Sequence, residues 1–214
     1  MLELGFKMLL AYLLGAVLGS LVVGRLQGGV DIRTLGSGNA GGTNALRTQG
    51  AAFAAWVMFI DVAKGVLAVT VIPGLQLRWI PADPQLAREW LSVACAISAV
   101  VGHVFPLWHE FRGGKGAATL LGVLVGWAPA ALIPVLAVWL LTVLLSGYVG
   151  LGTILATCAF PAFLLMRQDS VATPSMVLAL GMVVFVTYTH RSNVRRMLDG
   201  KESRAMRLWL LGPR

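Results

Sequence analysis

A polar, glycine-rich stretch of the chain has the composition of an anion-binding loop. It reads LGSGNAGGTNALRT, from Leu35 to Thr48, and combines glycines with amide, hydroxyl and arginine side chains between two strongly apolar runs. Donors of this kind on a flexible backbone are suited to bind phosphate. The same residues also suit a well-capped turn, in which Thr43 or Asn44 caps the next helix. Taken alone, the stretch permits either interpretation.

A second glycine-rich stretch favours the phosphate interpretation. It reads GHVFPLWHEFRGGKGAAT, from Gly102 to Thr119. Its glycines allow the backbone to expose amide donors, Lys115 adds a positive charge, and a helix that begins near Gly116 directs its positive end toward the loop. A Walker P-loop is not predicted, because glycine rather than serine or threonine follows the glycine-lysine pair. We expect an anion cradle without a nucleotide signature.

A dinucleotide site is not predicted either. Gly36, Gly38 and Gly41 match the spacing G-x-G-x-x-G, but that fingerprint follows a buried strand and opens a helix in a parallel α/β unit. Here the acidic residue 20 positions on, Asp61, lies inside an apolar run where no ribose reaches it.

Two histidines at the ends of apolar runs are candidates for proton transfer. An imidazole titrates near neutral pH, so His103 and His190 suit a general base or a hydrogen-bond donor, although either is also an ordinary polar residue at a membrane interface. Asn193 follows His190 by about one helical turn. Asp61 and Lys64, three residues apart in an apolar run, are interpreted as a structural ion pair. No histidine, cysteine or acidic residue has metal-ligand spacing, so no metal site is predicted.

Helices that lie in lipid must position these residues. The 214-residue chain is 57% hydrophobic and 12% charged, which is typical of an integral membrane protein. Apolar runs of about 20 residues recur, and that length crosses a bilayer core of roughly 30 Å. We predict an all-α membrane protein, a single domain over residues 1–214, built as a bundle of seven transmembrane helices, several of them short. The predicted spans are 4–24, 50–72, 88–107, 116–128, 130–146, 150–166 and 174–190.

The middle of the chain leaves the number of spans open. Residues 116–166 are almost wholly apolar and admit either two or three spans. Pro129 and Pro134 favour a break near residue 129, and therefore three short spans.

Basic residues predict the orientation. Of the 17 lysines and arginines, twelve fall on one side of a seven-span chain, three on the other and two within spans. The positive-inside rule then places the amino terminus outside and the carboxy terminus in the cytoplasm. The polar segments 25–50, 103–116, 146–153 and 190 onward are then all expected at the cytoplasmic face. Because the basic residues follow topology and form no patch interleaved with aromatics, no nucleic-acid partner is predicted.

The two glycine-rich stretches resemble the motifs of a known bacterial family. SGNAGGTNALRT and GHVFPLWHEFRGGKGAAT are similar to S-G-N-x-G-x-T-N-x-x-R and G-H-x-F-P-x-x-x-x-F-x-G-G-K-G-x-A-T of the acyl-phosphate-dependent glycerol-3-phosphate acyltransferases, the PlsY family. Chain length, the Asp61 and Lys64 pair, GYVGLGT and HRSN extend the resemblance. The chain departs from the family at Gly42, usually alanine, and at Gly147 and Gly150, where the family usually has an arginine and a serine.

The resemblance implies an enzyme of phospholipid biosynthesis. Such an enzyme transfers a fatty acyl group from acyl phosphate to the 1-hydroxyl of glycerol 3-phosphate and releases phosphate and lysophosphatidic acid, without a cofactor. It also implies a multi-pass protein of the bacterial cytoplasmic (inner) membrane, a bundle of seven helices whose active site faces the cytoplasm. Its partners are acyl phosphate, glycerol 3-phosphate, membrane lipid and, as a further possibility, the enzyme that forms the acyl phosphate.

Residue by residue, the resemblance assigns roles to the polar segments. The catalytic candidates are His103, Lys115 and His190. The substrate-binding candidates are Ser37, Asn39, Thr43, Asn44, Arg47, Gly113, Gly114, Ser146, Thr153 and Asn193. Ser146 and Thr153 are alternatives for a hydroxyl that the family supplies two residues after the tyrosine of GYVGLGT, where this chain has Gly150. An activated donor requires no protein nucleophile, and the leaving phosphate is an alternative to a protein base.

Two other classes of function fit part of the sequence. A membrane transporter of a phosphate ester or another anion would also use basic glycine-rich loops at helix ends, but the polar groups are expected at one face only, with no matching set near the midplane. A lipid-binding membrane subunit would need only the basic ends and leaves the two loops unexplained.

Overall fold

The computed structural model describes residues 1–167, 173–206 and 208–212. Over these residues the regular elements are helices, apart from an isolated bridge between Leu77 and Ile80. The helices group into two compact units, Met1–Pro129 and Ala130–Arg214, which are described separately. The predicted all-α class is confirmed for the described part of the chain.

The first unit contains the two glycine-rich stretches. Its helices are α1 (Leu2–Gly15), α2 (Gly19–Leu26), α3 (Gly42–Gln49), α4 (Ala51–Thr70), α5 (Arg88–Val104) and α6 (Ala117–Trp127). Glycines let the longer helices approach closely: a Cβ on Gly65 of α4 would lie 2.1 Å from the Thr119 carbonyl oxygen of α6, and one on Gly15 of α1 would lie 2.1 Å from the Ala99 carbonyl oxygen of α5. Such small-residue contacts are a usual way to pack helices in lipid, where burial supplies little driving force.

The first predicted span, residues 4–24, is not one straight helix. It is divided into α1 and α2, which meet at an angle of 44° across the break at residues 16–18. Side chains of α4 satisfy the backbone groups that the break exposes. Lys64 Nζ donates to the Val17 carbonyl at 2.7 Å, and Asp61 Oδ1 accepts from the Gly19 amide at 3.1 Å. A break at this depth is tolerated because these partners replace the lost helical hydrogen bonds.

The second unit consists of α7 (Leu132–Ser146), α8 (Val149–Met166), α9 (Pro174–Thr189) and α10 (Arg191–Leu198). A 3-10 turn that begins at Pro129 precedes α7, so the break predicted near residue 129 is confirmed. After α10 the chain returns to α7, where the Trp209 indole donates to the Leu145 carbonyl at 3.1 Å. The Arg204 guanidinium lies over the rings of Tyr148 and Trp209 at 4.7 and 4.0 Å.

Four described helical segments are long and apolar enough to cross a membrane: Ala51–Gly74, Arg88–His109, Pro129–Ser146 and Val149–Met166. The bent pair α1 and α2 makes a fifth when it is counted as one span. Two further apolar helices, α6 and α9, are shorter, and α6 with 11 residues is only about 17 Å long. The described chain is therefore a multi-pass membrane protein with four to five full-length candidate spans.

Candidate active site

The side chain of Asn44 organises the first glycine-rich loop. Its Oδ1 accepts from the Ser37 amide at 3.0 Å, and its Nδ2 donates to the carbonyls of Ile32, Leu35 and Asn39 at 2.9 to 3.0 Å. Gly36 approaches it with φ +57°, and a Cβ there would lie 2.4 Å from Asn44 Oδ1. Asn44 therefore folds the loop from within.

Replacing Asn44 should destabilise this unit more than replacing its exposed neighbour Thr43. Asn44→Ala removes several hydrogen bonds of a buried side chain, and unsatisfied buried groups cost about 1–3 kcal/mol each. We expect a clearly lower melting temperature in detergent for Asn44→Ala and a nearly unchanged one for Thr43→Ala. Equal melting temperatures would contradict the organising role.

Arg33 connects the first loop to the second. Asp31 holds the Arg33 guanidinium with contacts of 2.7 to 3.1 Å, and Arg33 Nη1 donates to the carbonyls of His109 and Arg112 at 3.2 and 3.4 Å. The two glycine-rich stretches are thus neighbours in the first unit, which agrees with the prediction that both lie at one membrane face. Neither Asp31 nor Arg33 was singled out from the sequence.

Because Asp31 holds Arg33 in place, the bridge that Arg33 forms to the carbonyls of the second loop is sensitive to acid. Hydrogen bonding from Arg33 lowers the pKa of Asp31 below its ordinary 3.8, against the opposing effect of burial. A carboxyl group with a lowered pKa contributes its stability above the ordinary value and loses it as the pH falls through the lowered value.

The stabilities of wild type and Asp31→Asn, compared across pH, should give the contribution of the Asp31 and Arg33 pair. We expect a difference in stability of about 1 kcal/mol that is constant above pH 4, because both partners are partly exposed. The difference should shrink as the pH falls below 3.8, the ordinary value. Thermal unfolding in detergent at several pH values measures it, and a difference that grows on acidification would contradict the assignment.

The second loop differs from the expectation in how its glycine amides are used. The amides of Gly113 and Gly114 donate to the carbonyls of Val104 and His103, each at 3.1 Å. In this conformation the two amides are therefore not open donors, and their predicted part in phosphate binding stays a prediction. The glycines instead permit close packing, since a Cβ on Gly114 would lie 2.1 Å from His103 Nε2. The first amides of a helix have no partners within it, so the start of α6, just after Lys115, remains as a place for amide donors.

A buried group of three titratable side chains lies behind this loop. Lys64 Nζ lies 2.8 Å from Asp61 Oδ1 and 2.8 Å from His103 Nδ1. His103 Nδ1 is 3.4 Å from Asp61 Oδ1. All three side chains are at least 97% buried. The predicted ion pair is confirmed, and it extends to His103, a contact that the spacing along the chain did not indicate.

Several sequence-predicted residues of the first unit are accessible. Ser37, Thr43 and Arg47 are exposed, and Lys115 is half-buried. Asn39 is half-buried, and its Oδ1 accepts from the Gly41 amide at 3.0 Å. The first unit therefore presents hydroxyl, amide and basic groups beside a loop whose shape Asn44 fixes.

In the second unit, the hydroxyl groups of Ser146 and Thr153 each donate a hydrogen bond to a carbonyl of their own helix. Ser146 Oγ donates to the Thr142 carbonyl at 2.6 Å and accepts from the Tyr148 amide at 3.1 Å. Thr153 Oγ1 donates to the Val149 carbonyl at 3.0 Å. Ser146 thereby shapes the turn before α8, whereas Thr153 bonds within α8.

His190 and Asn193 lie at the junction of α9 and α10, and both are buried. His190 Nδ1 lies 2.9 Å from the Val186 carbonyl, which only accepts, so this nitrogen carries a proton. Asn193 Nδ2 donates to Glu202 at 2.7 Å, and Glu202 also accepts from Arg196. A Cβ on Gly150 would lie 2.9 Å from Asn193, so the departure from serine at position 150 leaves room for this amide.

Comparison with known proteins places the chain in a family. The family model of glycerol-3-phosphate acyltransferase matches residues 6–200. The glycerol-3-phosphate acyltransferase of Pelodictyon phaeoclathratiforme is 38% identical over 218 residues, which cover 91% of this chain and 93% of that protein. The glycerol-3-phosphate acyltransferase of Chlorobaculum tepidum is 37% identical over 215 residues, with the same coverage of both chains.

Solved structures agree with the sequence relatives. Two crystal structures of PlsY, an integral membrane glycerol 3-phosphate acyltransferase, match 94% of this chain and 94% of their own at 32% identity. The glycerol 3-phosphate form has a TM-score of 0.78 and the lysophosphatidic acid form one of 0.77. On this evidence, and with both motif stretches adjoining in its first unit, the chain belongs to the glycerol-3-phosphate acyltransferase family.

Proposed function

We propose that the protein transfers an acyl group from acyl phosphate to the 1-hydroxyl of glycerol 3-phosphate. The observation that carries the proposal is the bridge from Arg33 to the His109 and Arg112 carbonyls, which joins two basic glycine-rich loops. Both substrates carry a phosphate, so the reaction needs two anion sites close together. The related PlsY structures in glycerol 3-phosphate and lysophosphatidic acid forms support this substrate and this product.

The chemistry requires little covalent participation by the protein. The 1-hydroxyl oxygen attacks the acyl carbonyl carbon, the bond from that carbon to the phosphate oxygen breaks, and inorganic phosphate leaves. Because the donor is already activated, stabilisation of charge on the leaving phosphate and orientation of the acceptor are the main tasks. The hydroxyl proton passes to the leaving phosphate or to a protein base.

Within the first unit, we assign the roles in binding and catalysis to the side chains that are accessible. Lys115 and the amides at the start of α6 hold the acyl phosphate and stabilise the leaving group. Arg47 binds the phosphate of glycerol 3-phosphate, with Ser37, Asn39 and Thr43 as further donors. Asn44, Gly113 and Gly114 act by shaping the two loops around these groups.

Arg47→Ala should weaken the binding of glycerol 3-phosphate. Arg47 is an exposed residue in the last turn of α3, so its removal should raise the KM for this substrate at least 10-fold with little change in stability, because a charge-assisted contact to phosphate contributes about 1.5–3 kcal/mol. Arg25→Ala, an exposed arginine in the last turn of α2, is the matched control. An unchanged KM in Arg47→Ala would contradict the assignment.

For the second unit, the roles implied by the resemblance stay proposals. His190 and Asn193 are assigned to glycerol 3-phosphate, and Ser146 or Thr153 supplies the hydroxyl. The proton that His190 Nδ1 donates to Val186 leaves Nε2 of the neutral ring as an acceptor, which suits a base. Steady-state kinetics of His190→Gln, with the KM for each substrate, tests this role.

The membrane arrangement is proposed in the same way. Five candidate spans plus the shorter apolar helices α6 and α9 give seven, with the amino terminus outside and the loops in the cytoplasm, within a bacterial inner membrane. Because the family model matches residues 6–200, across both units, we propose a single acyltransferase domain. Acyl phosphate would reach it from the lipid or from the enzyme that forms it. Labelling of cysteines introduced at residues 28 and 200 in sealed vesicles tests the orientation.

A defined assay decides between an acyltransferase and a transporter. The purified protein in detergent is supplied with glycerol 3-phosphate and, in turn, acyl phosphate, acyl coenzyme A or acylated carrier protein. Lysophosphatidic acid formed only with acyl phosphate supports the proposal. No product with any donor, together with uptake of glycerol 3-phosphate into proteoliposomes, would favour the transporter.

A further inference from the structure

The buried group of Asp61, Lys64 and His103 has a hydrogen-bond pattern that fixes the state of the imidazole. An ammonium has three donors and no acceptor. Lys64 Nζ has three acceptors within 2.8 Å, which are Asp61 Oδ1, the Val17 carbonyl and His103 Nδ1. When Lys64 is an ammonium, His103 Nδ1 must accept a hydrogen bond from it, and the ring proton then resides on Nε2.

The protonated edge of this imidazole faces the second glycine-rich loop. A Cβ on Gly114 would lie 2.1 Å from Nε2 and 2.9 Å from Cε1 of His103. The Gly114 amide also donates to the His103 carbonyl. The backbone at Gly114, directly before Lys115, therefore contacts both the main chain and the side chain of His103.

We propose that Asp61 and Lys64 are positioning residues of the acyltransferase, which hold His103 as the Nε2–H tautomer against Gly114 and so set the position of Lys115. In this state His103 Nε2 already carries a proton and does not accept the proton of the acceptor hydroxyl. His103 therefore supports the anion loop and is not the general base. The kinetic part of this proposal rests on the proposed function, whereas the tautomer does not.

The same pair also reaches the break between α1 and α2. Asp61 Oδ1 accepts from the Gly19 amide, and Lys64 donates to the Val17 carbonyl. One ion pair therefore links the interrupted first span to the loop that carries Lys115.

Nitrogen NMR of the wild-type protein tests the tautomer directly. With ¹⁵N-labelled histidine in detergent, His103 is assigned by the signals lost in His103→Gln. We expect Nδ1 at the shift of an unprotonated nitrogen and Nε2 at that of a protonated one. The opposite tautomer, or a mixture of both, would overturn the proposal without bearing on whether the protein is an acyltransferase.

A double variant tests the effect on catalysis. Asp61→Asn with Lys64→Met removes both charges together, so no unpaired charge stays buried and the fold is expected to survive. We expect kcat to fall about 10- to 100-fold, as for a catalytic group displaced by about 1 Å, with a much smaller change in KM. In this variant the nitrogen NMR signals of His103 should also indicate a mixture of tautomers.

A second buried ion pair in the same unit supplies the matched control. Lys7 Nζ lies 2.8 Å from Glu3 Oε1, and both side chains are 3% exposed. Glu3→Gln with Lys7→Met alters the end of α1 away from the glycine-rich loops, so kcat and the His103 signals should stay as in wild type. Equal losses of kcat in the two double variants, or an unchanged kcat in Asp61→Asn with Lys64→Met, would reduce Asp61 and Lys64 to a structural role.

Discussion

Lys115→Ala should lower kcat/KM by about 10³-fold, since removal of a group that stabilises developing charge costs 10²–10³ in rate. Lys115 is a half-buried cation of the second loop and immediately precedes Gly116, the residue before α6. Its charge and the amino end of that helix both favour a phosphate that gains negative charge as it leaves. Release of inorganic phosphate from acyl phosphate, with glycerol 3-phosphate present, measures the loss.

An exposed lysine of the same chain makes the control. Lys201, which follows α10, is exposed, so Lys201→Ala should keep nearly full turnover and the wild-type melting temperature. Turnover within threefold of wild type in Lys115→Ala would refute the assignment of the leaving-group site.

Gly114→Ala should reduce kcat by about 10²-fold, the loss that follows displacement of a catalytic group by about 1 Å. The added methyl carbon would lie 2.1 Å from Nε2 of His103, which is far shorter than any contact between non-bonded heavy atoms. His103 cannot rotate away cheaply, because Lys64 donates to its Nδ1. The loop must move instead, and Lys115 moves with it.

Gly5→Ala is the control for this substitution. Gly5 lies within α1, and an added Cβ meets no atom within 4 Å. Activity should be unchanged, and stability should rise by about 0.5–1 kcal/mol, because alanine is the better helix former. A fully active Gly114→Ala protein with wild-type His103 nitrogen signals would show that the loop tolerates the methyl group.

Helix positions were well predicted because hydrophobic length alone defines them. The predicted spans 50–72, 130–146 and 150–166 match helices at Ala51–Thr70, Leu132–Ser146 and Val149–Met166 within a few residues. The division of the first span was missed. It depends on Asp61 and Lys64, which are distant in sequence and satisfy the broken backbone, and no local pattern of apolar residues records that contact.

The sequence predicted the residue types of the candidate site better than it predicted the contacts between them. The motif stretches and the orientation rule brought the two loops to one face, and the Arg33 bridge joins them. The backbone hydrogen bonds of the Gly113 and Gly114 amides were not foreseen, because a glycine signals either an open amide or a close approach. Only the positions of His103 and Val104 distinguish the two.

The placement of the buried charges has a consequence for biogenesis. The partners within each pair lie on one helix, Glu3 with Lys7 on α1 and Asp61 with Lys64 on α4. A lone charge at the centre of a span opposes insertion by about 2.5–3.5 kcal/mol. Here each helix brings its own counter-charge within one turn, so it can enter the bilayer from the translocon as a neutral unit before the helices that follow it have been made. Exchange of Asp61 and Lys64 should therefore preserve insertion, whereas removal of only one of them should delay it.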